Sequence, residues 1–333
     1  MTNLAEDIHT VGKPLSRKDY QTDLEVRWCP GCGDYAILAQ FQKLLAAIGA
    51  RKEEHVIVSG IGCSSRFPYY VDTYGLHGIH GRAPAVATGL KAVNPDLTVW
   101  VVTGDGDGLS IGGNHLLHAL RRNVDIKILF FNNEVYGLTK GQHSPTSPVG
   151  QRSRSNPDGN TDRPVNPLGF ALASGATLVA RAVDTDAAHL QEVLRAAAAH
   201  KGSAFVEILQ NCPIFNELPF EAMKGADKRL YLRHGEAMSF EDRALRLNPA
   251  ALCLELAPTG PDEAAVHDTG SKPLARLLTD IEDPSLPTPL GVIYREKRSV
   301  HHEVLRAQGQ GCDGDGLSRL QARLSSGSTW QVR

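Results

Sequence analysis

The sequence predicts an α/β fold: an open, mostly parallel sheet with helices on both faces, followed by an irregular C-terminal appendage. Three observations predict it. Short, β-branched runs at 55–59, 97–103 and 126–131 read as buried parallel strands. Apolar stripes at helical spacing lie between and beyond them, so that strand and helix alternate. The alternation stops near Gln210, and nine of the 19 prolines fall from Pro213 onward.

Taken in chain order, Ile37, Phe41, Leu44, Leu45 and Ile48 predict a helix over roughly 35–48, with Gly49 as its stop. The three strands follow. Between them Ala83, Val86, Ala87, Leu90 and Val93 form one helical stripe, and Ile111, His115, Leu116 and Leu120 form part of another. The stretch 137–166 is rich in Gly, Ser, Pro and Asn and carries Lys140, Arg152, Arg154 and Arg163, the pattern of a long functional or disordered loop. The alternation then resumes with a helix near 167–174, a strand at 177–182, a helix at 187–200 and a strand at 204–210. Beyond it, helical patches are expected near 236–247 and 273–280, and a strand at 290–294. The expected organisation is an arm over 1–20, an α/β domain over 21–212 and an appendage over 213–333, whose tail from 309 is expected to be mobile. Ligands of such a sheet gather at the carboxyl ends of its strands.

Composition narrows the function. In 333 residues, 35 basic and 37 acidic side chains leave a net charge of −2, with 41% hydrophobic and 22% charged residues. Polybasic nucleic-acid binding and disorder do not fit these values. No window approaches the roughly 18 apolar residues of a membrane helix, and Met1–Thr10 lacks the pattern of a secretory signal. A cytoplasmic chain without nucleic-acid or membrane partners is expected, its six cysteines kept reduced.

The first chemical motif is Thr103-Gly-Asp-Gly-Asp-Gly108, between a strand and a helix. Its glycines let backbone N–H groups approach a ligand, but Asp105 and Asp107 would repel bare phosphate. A divalent cation between them and the phosphate, such as Mg²⁺ with oxygen ligands, resolves the conflict. Twenty-eight positions after Asp105, the next strand ends in Asn132-Asn133-Glu134-Val135-Tyr136-Gly137 and offers an amide oxygen and turn carbonyls. This pairing resembles the diphosphate-binding motif of thiamine diphosphate enzymes. The resemblance implies that Asp105, Asn133 and the Val135 carbonyl ligate Mg²⁺, and that Gly106, Asp107, Gly137 and Leu138 lie against the cofactor.

The second is a set of cysteines. Cys29-Pro-Gly-Cys32 precedes the first helix, Cys63 sits in Gly60-Ile-Gly-Cys-Ser-Ser65 and Cys212 follows a strand end. One CxxC with two scattered cysteines suits a [4Fe–4S] cluster. Structural zinc and a redox dithiol remain alternatives, although zinc ribbons bring two CxxC knuckles. Cys253 and Cys312 lack partners at ligand spacing and read as packing residues.

Together with these motifs, Trp28-Cys-Pro-Gly-Cys-Gly-Asp34, Gly60-Ile-Gly-Cys-Ser-Ser-Arg66, His77-Gly-Ile-His-Gly-Arg82 and Asn132-Asn-Glu-Val-Tyr-Gly-Leu-Thr-Lys-Gly-Gln142 resemble the β subunit of 2-oxoacid:ferredoxin oxidoreductases, most of all the 2-oxoglutarate type, over about residues 20–220. The resemblance implies thiamine diphosphate, Mg²⁺ and a [4Fe–4S] cluster held by Cys29, Cys32, Cys63 and Cys212. It implies an α subunit, a heterotetramer, and oxidation of 2-oxoglutarate with coenzyme A to succinyl-CoA, CO₂ and reduced ferredoxin. Ile61, Gly62, Cys63, Ser64 and His80 would line the cofactor, and the activating glutamate is expected on the α subunit, because Glu134 stands at the diphosphate end. Arg66 and Lys140 are the candidates for a distal substrate carboxylate, with His80 a third catalytic candidate. A pyruvate or broad 2-oxoacid enzyme, a non-oxidative thiamine enzyme and a zinc-stabilised structural subunit are the competing readings.

Overall fold

The computed structural model describes residues 15–330 except 50, 218, 221–224, 259–262, 310–314 and 329. Met1–Thr10 and Cys312 lie outside the described residues. The β-branched runs form β1 (His55–Ser59), β3 (Thr98–Gly104) and β4 (Ile126–Asn132), each buried along nearly its whole length, as strands covered on both faces must be. Between β1 and β3, the exposed strand β2 (Tyr74–His77) takes the edge of the sheet. The remaining main strands are β5 (Leu178–Val183) and β6 (Ala204–Leu209).

The C-terminal part adds β7 (Arg229–Leu232), β8 (Ser239–Phe240), β9 (Arg243–Asn248), β10 (Cys253–Leu256) and β11 (Thr288–Arg295). The main sheet has eight strands in the order β2-β1-β3-β4-β6-β5-β11-β7, and β8–β10 form a separate three-stranded sheet. The pairings among β1 to β6 are parallel, while β11 runs antiparallel to β5. The break expected after 212 is therefore not a break in the sheet, because β11 and β7 extend it.

Helices cover both faces. Period-two alternation sends Trp100 and Val102 of β3 to one face with Phe41, Leu129, Leu190 and Ile208, and Val99 and Val101 to the other with Leu116, Ile128, Phe130 and Leu278. The first face packs under α1 (Asp34–Ile48), and the second under α3 (Ala83–Val93). Between them in sequence lies the short α2 (Phe67–Tyr70). After β3 come α4 (Asp105–Leu109) and α5 (Gly113–Arg121); α6 (Pro167–Ala173) and α7 (Ala187–Ala199) flank β5. The stop at Gly49 holds, its φ of 63° being left-handed. Ile111, assigned to a helical stripe, instead precedes α5 and is exposed.

The expected helical patch at 236–247 is an error. Glu241, at φ 52°, turns the chain between β8 and β9, and β10 returns antiparallel with Glu255 opposite Arg246 at 2.7 Å. Pairing with the neighbouring hairpin strands overrides the helical pattern. The patch at 273–280 is α8 (Lys272–Thr279), and the tail holds α9 (His301–Gly309) and α10 (Gly316–Leu324). Cys253, read as a packing residue, is exposed. No helix among the described residues is long and apolar enough to cross a membrane.

Candidate functional site

Register assembles the site. Gly104 pairs with Phe131, and Asn132 with Leu209, so the loops leaving β3, β4 and β6 emerge side by side at the carboxyl end of the sheet. The residues that leave there are Asp105, Asn133 and Gln210. A cavity of about 420 Å³ opens above them.

Asp105 begins α4 with its carboxylate buried. One oxygen accepts the Gly106 N–H at 2.8 Å, and the other accepts the hydroxyls of Ser144 at 2.6 Å and Thr146 at 2.8 Å. Burial pushes its pKa up, against the pull of those hydroxyls. Asn133 accepts the Val135 N–H at 3.3 Å and donates from its amide to Gln210 Oε1 at 2.8 Å. Glu134, between them, adopts φ 57°, and burial followed by the charges of Asp105 and Glu207 pushes its pKa up to about 7. A buried carboxylate beside an amide oxygen and a turn suits a hard divalent cation.

All nine residues expected to line the cofactor border this cavity. Ile61, Gly62, Cys63, Ser64 and His80 form one side. Gly106, Asp107, Gly137 and Leu138 form the other, with Asp105, Asn133 and Val135 at the base. Gly62 sits at φ 120°, a conformation that only glycine adopts without strain, and leaves the space before it open.

Asp107 does something other than face a diphosphate. Its Oδ1 accepts the N–H groups of Ile61 at 3.0 Å and Gly81 at 2.7 Å and contacts His80 Nδ1 at 2.7 Å, while Oδ2 accepts the Thr103 hydroxyl at 2.6 Å. The carboxylate thus ties the loops after β1 and β2 to the end of β3. With Nδ1–H given to Asp107, the His80 ring keeps Nε2 free of that bond.

Cys29, Cys32, Cys63 and Cys212, far apart in sequence, line a second cavity of about 190 Å³. Trp28 Nε1 donates to the Cys63 carbonyl at 2.7 Å, clamping the CPGC turn onto the loop after β1. A Cβ placed on Gly137 would stand 3.5 Å from Cys212 Sγ and 3.6 Å from Cys63 Sγ. Burial, then the neighbouring Asp34 charge, pushes the Cys63 thiol up to about 12 and raises Cys32 as well. Without a cation the Cys32 and Cys63 thiols stay protonated. Gathering four cysteines in one cavity is productive when positive charge is supplied there.

Arg66 and Lys140 do not border the cofactor-sized cavity. Both border the cysteine cavity, and Arg66 also borders a third, of about 520 Å³, with Arg27, Tyr69 and His77. That third cavity meets the first at Ile61, Gly62 and Leu138.

Sequence reasoning missed two residues. Asp34, at the start of α1, is buried, and burial raises its pKa to about 7 against the pull of the neighbouring Cys32 thiol. Gln210, directly after β6, reaches both main cavities. Their only signals were adjacency to Cys32 and to Cys212.

Comparison with known proteins agrees with this geometry. The family described as thiamine pyrophosphate enzyme, C-terminal TPP binding domain, matches residues 60–208. The 2-oxoglutarate oxidoreductase subunit KorB of Mycobacterium tuberculosis is 49% identical over 98% of this chain and 91% of its own length. The 2-oxoacid:ferredoxin oxidoreductase 1 subunit beta of Aeropyrum pernix is also 49% identical, over 60% of this chain and 63% of its own. Among solved structures, 2-oxoglutarate:ferredoxin oxidoreductase from Magnetococcus marinus, with 2-oxoglutarate, coenzyme A and succinyl-CoA bound, superposes with a TM-score of 0.78 at 34% identity. That match covers 92% of this chain and 95% of the other.

Proposed function

This chain belongs to the β subunits of 2-oxoacid:ferredoxin oxidoreductases, and from that premise we propose how its two cavities divide the work. It is the β subunit of an enzyme of the 2-oxoglutarate type, acting with an oxidoreductase partner subunit on 2-oxoglutarate, coenzyme A and ferredoxin. The finer assignments are that the assembly is a heterotetramer and that it works in the cytoplasm, where the free thiols stay reduced.

The first cavity takes thiamine diphosphate, with Mg²⁺ held by Asp105, Asn133 and the Val135 carbonyl. Thiamine diphosphate, when bound, supplies the carbon nucleophile on which a 2-oxoacid loses CO₂. The chain's own groups bind and orient. Asp105 neutralises the cation from inside the protein, and the Asp107–His80 pair presents Nε2 as a proton donor or acceptor. The second cavity takes a [4Fe–4S] cluster on Cys29, Cys32, Cys63 and Cys212. Its donor set of four soft thiols fits iron and sulfide, and its 190 Å³ exceeds the space one tetrahedral ion needs.

The observation that carries this reading is the shared wall. Cys63, Asn133, Gly137, Leu138 and Gln210 border both cavities, so groups held in the two would be separated by a single layer of residues, close enough for electron transfer between them. Of the two candidate cations, Arg66 fits the distal carboxylate better, because its cavity opens onto the first one. Lys140 borders only the cysteines.

The test is an anaerobic preparation of the assembled complex, analysed for iron, sulfide, magnesium and thiamine diphosphate. All four are expected with this subunit. Thiamine without iron would favour a non-oxidative enzyme, and zinc without thiamine would favour a structural subunit. Arg66→Met should raise KM for 2-oxoglutarate at least tenfold more than for 2-oxobutyrate, since a guanidinium forks onto a carboxylate that only the former carries. Equal effects on both substrates, or a preference for pyruvate in the wild type, would overturn the substrate assignment.

A further inference from the structure

Among the described residues, Gln210 has side-chain hydrogen bonds that join the base of the first cavity to the wall of the second. It follows β6 directly, and its backbone N–H continues the parallel pairing onto the Asn132 carbonyl at 2.8 Å. The side chain is buried, with 1% of its surface exposed. Its Oε1 accepts the Asn133 amide at 2.8 Å, and the two N–H groups of its Nε2 donate to Cys32 Sγ at 3.3 Å and to the Asn211 carbonyl at 2.5 Å. Gly33 makes that approach possible, because a Cβ there would stand 2.9 Å from Gln210 Cγ and 1.9 Å from Asp184 Oδ2.

Each bond has a directional consequence. An amide has two faces, and donating its NH₂ to Gln210 obliges Asn133 to turn its oxygen the other way, where it accepts the Val135 N–H of the turn. An N–H directed at a cysteine sulfur withdraws electron density and stabilises the more negative, reduced form of a cluster on that sulfur. An apolar residue of the same size would do neither.

We propose that Gln210 is a positioning residue with two functions: it orients Asn133 for the cation of the diphosphate site, and it sets the reduction potential of the cluster through Cys32. This rests on the cofactor assignments above. Nothing about the residue types at 133 and 32 alone requires a bridge between them.

Two substitutions in the assembled complex separate the functions. Gln210→Glu keeps an oxygen for Asn133 and removes the donor to Cys32, whereas Gln210→Leu removes both. The readouts are the cluster's midpoint potential, followed by electron paramagnetic resonance during redox titration, and the affinity for thiamine diphosphate with Mg²⁺ by calorimetry. Both variants should show a more negative potential. Only the leucine variant should bind the cofactor about tenfold more weakly, the usual cost of losing an outer partner of a metal ligand. If the leucine variant fails to fold, the glutamate variant decides the potential. Potentials equal to wild type, or equal loss of cofactor affinity in both variants, would overturn the inference. So would loss of iron from the glutamate variant, because a donor to a ligand's sulfur adjusts a cluster without holding it. A wild-type complex without iron would overturn the cofactor assignment itself and this inference with it.

Discussion

Replacing Asp107 by asparagine decides whether this carboxylate faces the diphosphate or anchors the loops around it. Three groups meet its Oδ1, the N–H donors of Ile61 and Gly81 and the ring nitrogen of His80, and the Thr103 hydroxyl donates to Oδ2. Asparagine retains one oxygen but no charge. Hydrogen bonds to charged groups contribute about 1.5–3 kcal/mol and neutral ones about 0.5–1.5, so each of the three bonds on Oδ1 weakens by about 1 kcal/mol. The Thr103 hydroxyl can rotate and accept from the new amide, which leaves that contact nearly neutral. The expected loss for Asp107→Asn is about 3 kcal/mol. Asp107→Ala leaves four donors unmet at about 1–3 kcal/mol each and should remove about 4–12 kcal/mol, much of the 5–15 kcal/mol that holds a typical domain. Urea denaturation of the cofactor-free chain measures both. Calorimetry with Mg²⁺ and thiamine diphosphate then separates the roles. An anchor predicts weaker binding in the asparagine variant, because the loops carrying Ile61 and His80 loosen. A carboxylate facing phosphate predicts tighter binding once its charge is gone. Tighter binding at unchanged stability would refute the anchoring role.

Three further outcomes follow from the same geometry. Asp105→Ala should weaken binding of Mg²⁺ and thiamine diphosphate by tenfold or more in calorimetry while far-ultraviolet circular dichroism stays that of the wild type; full affinity would remove Asp105 from the cation site. Cys212→Ser should lower the iron content of the complex while Cys253→Ser, at an exposed thiol, should not, and equal iron in both would disprove the cluster set. Burial lowers the pKa of both His55 and His200 to about 4. Above pH 6.5 both are neutral whether folded or not and cost nothing. As pH falls from 6.5 toward 4, only the unfolded chain takes up their protons, so stability declines by about 2 kcal/mol per histidine between pH 6.5 and 5. His200→Gln should therefore lose about 2 kcal/mol less than wild type between urea titrations at pH 7 and pH 5, and an identical loss would show that His200 titrates normally.

What was legible in the sequence was what is carried by consecutive residues. The runs that became β1, β3 and β4 announced themselves through their own β-branched composition, and the turns after them brought Asp105, Asn133 and Cys63 with them. Two kinds of information were not local. The strands β8 to β10 form from hairpin turns whose pairs, such as Glu255 opposite Arg246, are not set by the helical spacing of apolar residues at 236–247. The role of Asp107 depends on which way a carboxylate turns. Its neighbours in sequence suggest phosphate, whereas its partners Ile61, His80 and Gly81 lie 26 to 46 positions away and reach it only after β1 and β2 have paired.

The same physics explains why Gln210 was invisible and why it stands where it does. In a parallel sheet, neighbouring strands end together, so the first loop residues after β4 and β6 must be neighbours whatever their identity. A polar residue at 210 has the Asn133 amide beside it by register. Cys32 approaches from outside the sheet, drawn in where the Gly33 N–H donates to the Asn211 carbonyl at 3.1 Å. Sheet register brings one partner and the turn before α1 brings the other. A residue at that crossing hydrogen-bonds both to a site built on strand ends and to a site built on loops. Removing both bonds, as Gln210→Leu does, should therefore be felt at both, which a residue serving either cavity alone would not do.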